Sequence, residues 1–160
     1  MKQASNRLPG VRTGGQKGVA TVELAIILPM FGILLLGILE IGGMARAHQA
    51  VQNGAREGAR FAAMPINNLL NLSNADKTTV ANRIKDSVIA YLANERIAIT
   101  RADIALDQDV SISVTGGDTV KGTRVTVTYT RPVLFPGIAR WIALNSIRPV
   151  QGTAVFRNLY

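Results

Sequence analysis

The chain has 160 residues, no cysteine, one histidine and a formal net charge of +8. That length suits one modest domain plus an anchor, and the missing thiols exclude disulfides and thiolate chemistry while leaving either side of a membrane open. The positive charge does not read as a nucleic-acid surface: Lys2, Arg7, Arg12 and Lys17 all precede Gly18, and the other basic residues are scattered, without a basic run or interleaved aromatics.

Residues 1–18 form a basic leader with no acidic residue. Residues 19–39 follow as an apolar segment whose only charge is Glu23, and the stretch LAIILPMFGILLLGIL at 24–39 carries none. As a helix this segment rises roughly 30 Å, the thickness of a bilayer core. It has no polar face, which argues against a buried core helix. The leader's charges place the N-terminus in the cytoplasm and the rest of the chain across the membrane. Pro29 cannot donate to the carbonyl of Ala25, so a kink or a loosened turn is expected there.

Two processing signals compete at this end. A secretory signal would use Ala45-Arg46-Ala47 as its A-x-A site. The apolar stretch is longer than the usual ~7–15 residues of such a signal, and the leader before it is long and Gly-rich. The other signal is a cut after Gly18, making Val19 the new N-terminus. Glycine at the junction lets an extended backbone enter a peptidase without a side chain to clash. Glu23, five residues after Gly18, would then lie near the new amine and offset a charge otherwise stranded in apolar surroundings. It also suits the positive end of the helix dipole.

Residues 40–63 continue the helical pattern, so that 19–63 reads as one N-terminal helix. Gly43, Ala47, Val51, Ala55, Ala59 and Ala63 recur every four residues, and Ala50, Gly54, Gly58 and Ala62 form the adjacent row. Such small-residue rows let another backbone approach closely. Glycine costs a helix about 1 kcal/mol against alanine, so packing must compensate. Two partners fit: the sheet of the chain's own domain, or helices of other subunits. Arg46, Gln49, Gln52, Asn53, Arg56, Glu57 and Arg60 occupy the other side.

Residues 64–160 read as an exported α+β domain. Met64-Pro65 ends the helix, and the Asn-rich stretch 67–74 is a loop. A second helix is expected over 75–94, with Val80, Ile84, Val88, Tyr91 and Leu92 as its apolar stripe. Alternation at Val110, Ile112 and Val114, and again at Val125, Val127 and Tyr129, predicts an antiparallel pair turning near Gly116-Gly117-Asp118. Residues 133–144 predict a short apolar helix, with Phe135 and Trp141 as core residues or a docking patch. Residues 150–157 predict a third strand. The whole is a long N-terminal transmembrane helix running into a small domain with a helix packed on a short antiparallel sheet. An open edge of that sheet is a possible partner site.

No enzyme motif is present: His48 stands alone, and there is no phosphate loop or nucleophile elbow. Asp103, Asp107 and Asp109 lack the spacing of a calcium loop and read as a solvated acidic loop. No catalytic residue, metal or cofactor is expected. An exported binding module, anchored or cut after Ala47, is the alternative to a processed membrane subunit.

The pieces VATVELAIILP, GILEIG and QAVQNGAREGARFAA, within residues 18–63, resemble the TadE-like pseudopilins of the tight-adherence (Flp/Tad) pilus system. Members commonly carry an aromatic residue after the signal glutamate, where this chain has Leu24. The resemblance implies a pilin-like fold and a minor pilin or pseudopilin in the bacterial inner membrane, its C-terminal domain periplasmic. It implies processing by a prepilin peptidase between Gly18 and Val19, with other pilins and the Tad machinery as partners and no nucleic acid. Its use would be in assembling or anchoring an adhesive pilus.

Overall fold

In the computed structural model, residues 16–115, 117–133, 136–137 and 149–159 are described, with the backbone alone at Gln16 and Lys17. Most of the basic leader, Gly116, Phe135, Trp141 and all but three residues of the apolar stretch 133–144 lie outside the described residues. Helix α1 spans Gln16–Ala62 and helix α2 Asn74–Asn94. Strands β1 (Ile104–Ser113), β2 (Thr119–Tyr129) and β3 (Val150–Arg157) form an antiparallel sheet in the order β1-β2-β3. The chain divides into two units, Met1–Leu39 and Glu40–Tyr160.

In the first unit, α1 runs through Pro29, and its large apolar side chains are mostly exposed, among them Val22, Ile26, Met30, Phe31 and Leu34. It is the one helix among the described residues long and apolar enough to cross a membrane. With no polar stripe to turn toward water, such a surface needs lipid or other apolar cover.

The second unit is the α+β domain, containing the rest of α1. Ser73 caps α2 by accepting from the Asp76 N–H at 3.3 Å. The expected stripe turns inward: Ile84, Val88 and Leu92 are fully buried, with Val80 and Tyr91 half-buried beside them. The helix stops at Arg96, whose φ of 60° is left-handed. Ile97 N–H then bonds the Leu92 carbonyl and Arg96 N–H the Ala93 carbonyl, at 2.9 and 3.0 Å, which is a Schellman turn.

Strand β1 begins earlier than its Val-Ser alternation suggests. Ile104 and Leu106 already face the core, opposite Val127 and Val125. The pairing slips between Asp107 and Val110, so two residues of β1 face one of β2. The expected acidic loop is therefore corrected: Asp107 and Asp109 stand exposed on β1 at this bulge, and Asp103 caps a 3-10 turn with Thr100. Polar spelling concealed the strand because only one of its faces is buried.

The core brings together Ala50, Val51, Ala55, Ala59 and Ala62 of α1, the α2 stripe, and Ile104, Val125, Val127, Val150 and Ala154 of the sheet. The glycines of α1 set its approach to α2. A Cβ at Gly54 would stand 3.0 Å from Leu92 Cδ2, and one at Gly58 would collide with Val88 Cγ2.

Candidate functional site

The junction residues occupy the first turns of α1. Gly18 is exposed, with no atom within 4 Å of where a Cβ would stand, and Val19 is 59% exposed. Glu23 is exposed one turn further on. Gly18 is helical here rather than extended. Val19 and Glu23 are four residues apart and share one helix face.

The small-residue face is assembled within the chain. Ala47 and Ala50 are each 7% exposed, and Ala55, Ala59 and Ala62 are fully buried. Gly54 and Gly58 are buried against α2. Gly43 is half-buried beneath the Arg131 guanidinium. From Ala50 onward these positions therefore meet the chain's own sheet and second helix, and the polar side stays largely in solvent.

Three polar arrangements that the sequence did not announce hold α1 to the domain. Where α1 enters the second unit, Arg131 Nη1 donates to Glu40 Oε1 at 2.7 Å, with side chains 12% and 19% exposed. Midway, the Gln52 carboxamide donates to the Thr153 carbonyl at 2.9 Å and accepts the Thr153 N–H at 3.3 Å. One side chain thus imitates a paired strand on the edge of β3, and Gly152 beside it admits the α1 backbone. At its end, the last carbonyls of α1 are capped from three directions. Asn67 Nδ2 donates to the Phe61 carbonyl at 2.7 Å, Gln108 Nε2 to that of Ala62 at 2.8 Å, and the Leu159 N–H to that of Ala63 at 3.1 Å. Gln108 reaches inward from the β1 bulge, and its own carbonyl accepts from Asn158 Nδ2, whose Oδ1 accepts from Thr123. Capping of this kind satisfies carbonyls that have no partner within the helix. Only the sequence adjacency of Asn67 to the helix end hinted at it.

His48 is exposed and lines an open apolar hollow with Ile41, Met44, Ala45, Pro149, Val150 and Gln151. No group of three or more His, Cys, Asp or Glu residues placed to hold a metal occurs among the described residues. The carboxylates pulled below their ordinary range are elsewhere: Glu57 by hydrogen bonds from Arg60, Asp86 by hydrogen bonds from Arg101, and Asp103 by the backbone N–H and then the hydroxyl of Thr100.

Comparison with known proteins gives one family and no individual relative. Residues 18–60 match the model of the family described as TadE-like protein. No curated protein and no solved structure matches the chain. The matched stretch opens on Gly18, contains Glu23 and Glu40, and takes in the apolar run and nearly all of the small-residue face. Over residues 18–60, which is α1 from its third residue almost to its end, this chain is similar to the TadE-like family.

Proposed function

We propose that the chain is a minor pilin or pseudopilin of a tight-adherence pilus. It is made as a precursor and cut between Gly18 and Val19 by a prepilin peptidase of the inner membrane. The apolar helix then holds it as a single-pass protein with the α+β domain on the periplasmic side. There it assists assembly or anchoring of the pilus, in contact with other pilins and the Tad machinery, and works as a structural subunit rather than an enzyme. The observation that carries this reading is the coincidence of two boundaries: the TadE-like match begins at Gly18, where the basic leader gives way to a helix that is apolar on every side.

Glu23 has a role in this scheme. Its carboxylate shares a helix face with Val19, whose freed amine would be positive, and pairing offsets the cost of placing either charge near lipid. The competing cut after Ala47 fits less well. Ala47 is 7% exposed, in mid-helix, and a cut there would remove Glu40 and leave Arg131 half-buried without its partner. N-terminal sequencing or intact mass of the membrane-extracted protein tests the scheme. A start at Val19 is expected; a start at His48 or Met1 would sink it.

A further inference from the structure

The apolar surface of α1 does not end with the run at Leu39. Ile41, Met44, Ala45 and His48 recur at helical spacing and form one face over two turns. Ile41 is 71% and Met44 47% exposed, although both belong to the unit that forms the folded domain. No charge interrupts this surface. Between Leu39 and Ala45 the single charged residue is Glu40, whose side chain turns inward to Arg131. Across from the helix face stand Pro149 and Gln151, at the head of β3. The two walls enclose an open hollow whose lining is almost wholly apolar.

Distance along the chain says what this hollow meets. The headgroup layer of a bilayer extends roughly 5–8 Å beyond the hydrocarbon on each side. Ile41 lies about 3 Å of helix past Leu39, and Met44 about 8 Å. Both fall within reach of that layer, and a face of large apolar side chains turned to water marks an interaction surface. The layer is apolar on its inner side and polar on its outer side, as is a helix face that runs from Ile41 and Met44 to His48. We propose that the hollow is a lipid-contact surface of the domain, filled by the phospholipids that surround the anchor. The domain then meets the bilayer through the head of β3 as well as through α1. This inference rests on the reading of residues 19–39 as a membrane span.

The chain has no cysteine, so Met44→Cys and Gln151→Cys each introduce a single point for a nitroxide label. Both side chains are exposed, and they stand on opposite walls of the hollow. The labelled full chain is placed in vesicles of phosphatidylcholine and phosphatidylglycerol, prepared with a nickel chelate inside and out. Oxygen concentrates in lipid and the chelate in water, so the ratio of their collision rates with the label reports its surroundings. Labels at Leu34 in the apolar run and at Asn53 on the solvent side of α1 set the two references. The ratio at Met44 and at Gln151 should exceed that at Asn53 several-fold and approach that at Leu34. Water-like ratios at Met44 and Gln151, with Leu34 lipid-like, would overturn the lipid contact and leave the span standing. A lipid-like Met44 beside a water-like Gln151 would overturn the hollow, since the helix alone would then meet lipid. Labels at Met44 and Gln151 shielded from both reagents would overturn it too, because protein, from this chain or a second copy, would fill the hollow. A water-like Leu34 would remove the span itself, and the lipid contact with it.

Discussion

Gly152 marks a close approach of α1 to the sheet. A Cβ there would stand 2.7 Å from the Val51 carbonyl oxygen and 2.9 Å from Gln52 Cα, both backbone atoms with no rotamer to swing away. Gly152→Ala must push the helix off β3 and break the Gln52–Thr153 pairing. We expect a loss of about 1–3 kcal/mol, the usual cost of overpacking a tight contact. A thermal melt of the detergent-solubilised variant checks this, and a melt within a degree of the parent would show that the two backbones can part freely. Nothing around Gly152 in the sequence separates it from the other glycines. Its requirement comes from a helix far earlier in the chain. Arg131 is a similar case: it stands just beyond a strand and precedes a proline, a setting that gives no hint of an acidic partner on α1.

Among the elements, α2 was the most legible. Its stripe, its start near Ser73 and its end at Asn94 are set by 3.6-residue periodicity and an N-cap. Its terminus carries an avoidable cost. Arg96 adopts φ 60°, a conformation that costs an L-residue with a side chain about 1–2 kcal/mol and glycine almost nothing. Arg96→Gly should keep both Schellman hydrogen bonds and raise stability by roughly 1 kcal/mol. Chemical denaturation of the two proteins side by side measures it; a destabilised variant would mean that the Arg96 side chain makes a contact worth more than the strain. Strand β1 was only half legible. Its outer half alternates clearly, but its inner half is spelled with Asp107, Gln108 and Asp109, residues that favour loops. Gln108 is buried there because helix carbonyls await it, so its polarity is a response to α1 and not to solvent.

For the whole molecule, the apolar run and the domain place different demands on one helix. Residues 19–39 are apolar on every side, whereas the second unit buries a single face of small residues. That face is occupied by the chain's own sheet and α2. Under the proposed function, contacts with other subunits would therefore fall to the apolar run and to the solvent side of α1, where Arg46, Asn53 and Arg56 are exposed. Two substitutions separate processing from assembly. A bulky residue at Gly18, such as Gly18→Trp, should leave the precursor uncut. Glu23→Ala should be cut nearly as well as the parent but be depleted from the assembled fraction, since only the processed amine needs the carboxylate. Comparing the cleaved fraction with pilus-associated protein on immunoblots separates the two effects. Normal assembly of Glu23→Ala would remove the charge-pairing role while leaving the cut intact.

The sequence by itself determined the features that local pattern dictates: an apolar helix bounded by a glycine and a basic leader, a second amphipathic helix, alternating strands and a TadE-like stretch. These depend on the period and polarity of neighbouring residues, which a linear reading contains. Only the tertiary structure decided which partner the small-residue rows meet, because a close-packing face is equally suited to a sheet, a neighbouring helix or another subunit. It alone placed Arg131 on Glu40, Gln52 on the edge of β3, and Gln108 and Asn158 within the cap of α1. Such polar residues are chosen by unpaired groups distant in the chain, and their spacing carries no trace of the partner. The junction at Gly18 belongs to the first kind: its meaning lies in the order of leader, glycine, glutamate and apolar run, and the structure adds only that it lies in helix α1.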